Sequence, residues 1–99
     1  MKVAYARRAL VDMAEIDAHI RAQDPETAKN VAREIQARCA ALALNPFLNP
    51  TTDMRNVRRM PLTRYPFTVY YRTNTPRRQI FILRIVRSSR VRTLGRVPR

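Results

Sequence analysis

Residues 67–87, FTVYYRTNTPRRQIFILRIVR, decide how this chain folds. Residues 67–73 and 79–87 are rich in β-branched and aromatic side chains and flank Asn74-Thr75-Pro76, the pattern of two strands around a turn. Along the first, Phe67, Val69 and Tyr71 alternate with Thr68, Tyr70 and Arg72. Along the second, Phe81, Leu83 and Ile85 alternate with Ile80, Ile82, Arg84 and Val86. A strand apolar on both faces is expected to be central and covered twice. The expected second face carries Tyr70, Arg72, Ile80, Ile82, Arg84 and Val86, mixing apolar side chains with arginine. The rest of the chain offers nothing to cover it, so a partner is expected there.

Working outward, residues 57–62 read as an edge strand, because Pro61 cannot donate to a ladder. Asn45 to Arg55 reads as a loop, marked by Pro46, Asn49 and Pro50. Upstream, Ala28, Val31, Ala32, Ile35, Cys39 and Leu42 form the apolar stripe of a helix over 25–44, opened by a capping Asp24 and by Pro25. Ala9, Met13, Ile16 and Ile20 mark a first helix over 8–23. So short a break between the two predicts an antiparallel helix hairpin. Residues 2–5 read as an opening strand, and 91–99 as a basic tail without a core pattern. The expected class is α+β: a helix hairpin on a small antiparallel sheet, in the order β-α-α-β-β-β, over residues 1–90.

Charge is distributed unevenly. The chain has 20 basic and seven acidic residues among 99, a net +13. All seven acids lie in residues 1–53, where seven bases balance them; residues 54–99 hold 13 arginines with no lysine and no acid. Such an excess repels itself and destabilises the compact state. Arginine alone points to planar, bidentate contacts with carboxylate or phosphate, hence to an acidic or polyanionic partner. No apolar run approaches the roughly 20 residues of a membrane span, and no signal-peptide apolar region stands at the start. Cys39 is the one cysteine and His19 the one histidine, so neither a disulfide framework nor a metal site is expected. The expectation is a cytoplasmic protein without a cofactor.

Several segments together resemble the ParE/RelE superfamily of toxins from bacterial type II toxin–antitoxin systems. Asp12-Met13-x-x-Ile16-x-x-His19-Ile20 is similar to the family's D-L-x-x-I-x-x-Y-I, with His19 at an aromatic position. Pro25-x-x-Ala28 matches the opening of its second helix. Val57-Arg58-Arg59-Met60-Pro61-Leu62 and Tyr65-Pro66-Phe67-x-Val69-x-Tyr71 match v-R-x-l-p-l and y-P-y-x-i-x-Y. Residues 82–90 resemble I-L-x-V-x-H-x-x-R, with Arg87 in place of the histidine and Arg90 ending the motif. The usual glycine of the central loop is missing.

The resemblance implies a RelE/ParE-like toxin fold, an acidic ParD-like antitoxin as partner, and one of two targets. RelE-like members cut mRNA on the ribosome; ParE-like members block DNA gyrase without being enzymes. Cutting RNA needs groups that move protons, and residues 54–99 contain no Asp, Glu, His or Lys. Arginine stays protonated, leaving Tyr65, Tyr70 and Tyr71 for an endoribonuclease. The nuclease branch also carries arginine where Thr68 stands, and a tyrosine near its C-terminus. The ParE-like reading is therefore favoured, with no catalytic residue. Arg58, Arg59, Arg87 and Arg90 are the candidate target contacts, and the mixed sheet face is the candidate antitoxin contact. A plain nucleic-acid binder is the further alternative, but the last strand offers Phe81 alone as a stacking aromatic.

Overall fold

A computed structural model describes residues 1–89; Arg90 and the expected 91–99 tail lie outside the described residues. The elements run β1 (Lys2–Tyr5), α1 (Arg7–Arg21), α2 (Pro25–Ala41), β2 (Val57–Pro61), β3 (Phe67–Asn74) and β4 (Gln79–Arg87). Both helices end two or three residues before the sequence pattern predicts. Asp24 caps α2 as expected, accepting from the amides of Glu26 and Thr27 at 3.1 and 3.2 Å.

The strands form one sheet in the order β1-β4-β3-β2. β2-β3 and β3-β4 are antiparallel, but β1 runs parallel to β4, pairing Val3 with Ile80 and Tyr5 with Ile82. The sheet is therefore mixed and not wholly antiparallel. Short turns enforce antiparallel neighbours only within β2-β3-β4. β1 reaches β4 across most of the chain, and that separation permits a parallel pair. β4 is central, as its two apolar faces require, and β2 is an edge.

The helix hairpin covers one sheet face. Ala9, Val31, Ile35, Cys39 and Leu42 pack there against Met60, Val69, Tyr71, Ile80, Ile82 and Ile85. On the opposite face Val57, Tyr70 and Val86 form a second, smaller cluster with Leu83. A bulge sets this division. Tyr70 pairs with Arg84 and Tyr71 with Ile82, so Leu83 is an extra residue in β4. Alternation along β4 changes phase at that point. Ile80, Ile82 and Ile85 consequently share the helix side, while Leu83 and Val86 share the other. The strict alternation expected over 79–87 fails for that reason.

The central loop between α2 and β2 closes without glycine because Asn56 takes the left-handed conformation (φ 62°), which Asn tolerates better than most residues. Its carbonyl accepts from the Thr73 amide at 2.9 Å, joining the loop to β3.

Candidate partner-binding surfaces

The six residues expected to share one antitoxin face do not share it. Ile80 and Ile82 are fully buried under the helices. Arg84 turns toward α1 and meets Asp12. Tyr70, Arg72 and Val86 lie on the face turned away from the helices, joined there by Val57 and Leu83, with Arg72 exposed. Two features of register divide them: the turn pairs Arg72 with Phe81, which leaves Ile80 and Ile82 on the helix side, and the bulge at Leu83 then brings Val86 to the face of Tyr70.

The candidate target arginines also divide. Arg59 pairs with Tyr70 across β2-β3 and stands exposed on the face turned away from the helices. Arg58 pairs with Tyr71 and lies on the opposite side, where its Nη1 donates to the carbonyls of Phe47 and Asn49 at 3.2 and 2.7 Å. Its guanidinium also sits 5.4 Å from the centre of the Phe47 ring. Arg58 is thus committed to holding the loop. Arg87 is exposed at the end of β4, 5.5 Å from the centre of the Phe67 ring. Arg90 lies outside the described residues. The face turned away from the helices therefore presents Arg59 and Arg72, while Tyr70, Val57 and Val86 beside them are only 1–4% exposed.

The tyrosines suit a structural role. Tyr71 is fully buried; its hydroxyl donates to the Pro46 carbonyl at 2.8 Å and accepts from Asn49 Nδ2 at 3.2 Å. Burial raises the pKa values of Tyr70 and Tyr71, against smaller opposing contributions that include Arg59 and Arg58 respectively. A phenol harder to ionise is a poorer base at neutral pH. Tyr65 is half-buried against the helix-side core. Cys39 is buried, and desolvation pushes its thiol up to about 11, the reverse of an activated nucleophile. Among the described residues no three His, Cys, Asp or Glu side chains come together as a metal site. Nor is any described helix long and apolar enough to cross a membrane.

Two features escape the sequence patterns. The first is Asp12, only 4% exposed. It accepts from Arg84 Nε at 2.9 Å, Arg84 Nη2 at 3.4 Å and the Ile85 amide at 2.9 Å. Arg8 Nε approaches it at 3.2 Å from the same helix. β1 ends at Tyr5 and pairs no further than Ile82, so Asp12 serves the next part of β4 that lacks a strand neighbour. The signal was present: Asp12 lies three residues after Ala9 and four before Ile16, on the buried side of α1. Beside this pair a cleft of about 230 Å³ opens between α1 and the end of β4. The second feature is the loop after α2, which exposes Leu44 (85%) and Leu48 (79%) while Tyr71 and Arg58 hold its backbone.

Over residues 3–92 the chain matches the family described as the ParE toxin of type II toxin–antitoxin system, parDE. Among solved structures it resembles the chromosomal ParDE toxin–antitoxin system from P. aeruginosa. That match has 28% identity and a TM-score of 0.76, over 88% of this chain and 95% of the other. It also resembles the isolated E. coli RelE toxin, at 13% identity and TM-score 0.63, over 94% of this chain and 97% of that one. The intact E. coli RelBE toxin–antitoxin complex matches at 12% identity and TM-score 0.64, over 87% and 94% of the two chains. The last two likenesses concern the fold. No curated protein matches this sequence significantly.

Proposed function

The chain belongs to the ParE toxin family of type II toxin–antitoxin systems, and from that membership we propose that it acts by binding and inhibiting DNA gyrase until a cognate acidic antitoxin neutralises it. The observation that carries this reading is a cation-rich surface at Arg59 and Arg72 to which residues 54–99 add no Asp, Glu, His or Lys. Arg59 and Arg72 stand exposed around a buried Tyr70, whose hydroxyl burial makes harder to ionise. Residues 54–99 supply no Asp, Glu, His or Lys to accept a proton from a ribose hydroxyl. Inhibition by binding needs only a surface that prefers one state of the gyrase–DNA complex.

The antitoxin, in this reading, lays an acidic amphipathic segment over Tyr70, Arg72 and Val86. Carboxylates of the segment meet the exposed Arg72 and Arg59. Because Arg59 is also a target contact, the antitoxin blocks the toxin by occupying the surface it uses.

Purified protein should inhibit gyrase supercoiling with no ribosome present, and Arg59→Ala and Arg87→Ala should weaken inhibition while leaving the melting temperature nearly unchanged. In calorimetry Arg72→Glu should weaken antitoxin binding by at least tenfold, since truncated or reversed interface anchors cost on the order of 2 kcal/mol. Codon-positioned cleavage of mRNA on programmed ribosomes, with gyrase unaffected, would overturn the proposal in favour of a ribosome-dependent nuclease.

A further inference from the structure

The geometry points to a carboxylate-receiving pocket between α1 and the end of β4, which we propose takes a glutamate-type side chain of an acidic protein partner; this extends the antitoxin reading to a site on the other side of the sheet. Arg84 is 6% exposed and lines the cleft. Its Nε and Nη2 are taken by Asp12, but its Nη1 is buried without a hydrogen-bond partner. A guanidinium nitrogen left so carries a desolvation cost that a bound acceptor would remove.

Asp12 does not serve Nη1 as well. Its two oxygens already receive Arg84 Nε and Nη2, the Ile85 amide and the Arg8 guanidinium. The cleft brings Arg8, Arg84 and Arg87 against Asp12 and Glu15, leaving one positive charge unmatched. A single carboxylate would balance it, and charge-assisted bonds to guanidinium are the strong kind.

The remaining wall sets the ligand's shape. Ile16, Ile20, Phe67, Ile85 and Val86 supply apolar surface beside the cations. About 230 Å³ is the room of several water molecules at roughly 30 Å³ each, enough for a carboxylate on a short aliphatic stem. A glutamate side chain has that form: two methylenes for the isoleucines and a carboxylate for the Arg84 guanidinium, whose sealed Nη1 turns toward the cleft to meet it. Phosphate has the charge without the stem. The cleft is open to solvent beside exposed Glu15 and His19, so a side chain borne on a peptide can enter.

The test is an NMR titration of the whole chain with sodium butyrate, the free equivalent of such a side chain, against butyramide and sodium phosphate. Butyrate should give saturable shifts at the Ile85 amide and the Ile16 and Ile20 methyls, with a Kd on the order of 1–10 mM. Butyramide and phosphate should bind at least tenfold more weakly. Arg84→Lys keeps a cation opposite Asp12 but removes Nη1; it should lose at least tenfold in butyrate affinity while the Ile85 amide stays close to its wild-type position. If that variant does not fold, the contrast among the three ligands on the wild-type chain decides alone. No saturable butyrate response, or equal responses to butyrate and phosphate, would overturn the pocket, as would full affinity in a folded Arg84→Lys. None of these results depends on gyrase or on the sheet face of Arg59 and Arg72, so the pocket can fail while the proposed function stands.

Discussion

Replacing Asp12 by alanine should be among the most destabilising single changes available in this fold. Both partners of the pair are nearly out of water, with side-chain exposures of 4% for Asp12 and 8% for Arg84. Removing the carboxylate leaves Arg84 charged, buried and unpaired, and strips the Ile85 amide of its acceptor. Breaking a buried ion pair from one side costs about 3–5 kcal/mol. The Arg8 contact adds little, because that side chain is 53% exposed and solvent screens it. Against a total stability of about 5–15 kcal/mol, the loss is a third or more for most of that range. For a chain of this size each kcal/mol moves Tm by about 4–8 °C, so the midpoint should fall by at least about 12 °C.

The assay is urea and thermal denaturation of four proteins: wild type, Asp12→Ala, Arg84→Met and the double variant Asp12→Leu/Arg84→Met. A buried pair replaced on both sides by apolar residues is often neutral. The double variant should therefore be more stable than Asp12→Ala, even though it lacks both charges. A loss below about 1 kcal/mol for Asp12→Ala, or a double variant no better than that single one, would refute the reasoning that an orphaned Arg84 dominates the cost.

The exposed arginines predict that the free protein melts at higher temperature as sodium chloride rises from low to physiological concentration, by screening within a Debye length of about 8 Å; a flat or falling curve would contradict this. The Cys39 thiol, pushed by burial from 9.0 up to about 11, ionises later in the folded than in the unfolded chain. Its contribution is therefore fully present below pH 9 and lost as pH rises toward 11, and Tyr5, Tyr70 and Tyr71, all raised by burial, act in the same direction from about pH 10. Denaturation midpoints should fall steadily across that alkaline range, and Cys39→Ala should delay the onset. Tyr71→Phe removes the hydroxyl that bonds Pro46 and Asn49 and should cost about 1–2 kcal/mol, with faster amide exchange confined to the loop after α2 if the loop depends on that anchor.

Periodicity made the helices, the strand sequence and most of the core legible. Ala28, Val31, Ile35, Cys39 and Leu42 are buried as their spacing predicts. The misassigned faces trace to strand register, set by the pairing of Arg72 with Phe81 and by the bulge at Leu83. Residues 80–86 carry a single polar residue, so a one-residue insertion in their alternation leaves no trace in hydropathy, and no glycine marks the bulge at Leu83. One extra residue moves each later side chain to the other face. That is why strict alternation groups Ile80 and Ile82 with Val86, which lies across the sheet from them. The parallel pairing of β1 and the Asp12–Arg84 bond, 72 residues apart, are contacts that no local window contains.

The same placement explains the charge. Asp17 pairs with Arg21 and Glu26 with Lys29 inside the first half of the chain, each within one helical turn. Asp12 is the acid that reaches across to the arginine-rich half, and it goes to Arg84, which turns inward. Among the described residues no ion pair joins a carboxylate to Arg59, Arg72 or Arg87. The acids that form ion pairs among the described residues therefore hold helices and neutralise the buried cation. An exposed arginine stays solvated at small cost, whereas a buried one without a carboxylate would undo the fold. The surface charge this leaves is available to whichever anionic partner binds. A partner that binds only the folded chain stabilises it by about 2.7 kcal/mol at a concentration of 100 Kd. If the proposed acidic antitoxin is that partner, relief of charge repulsion and neutralisation of activity arrive through the same contact.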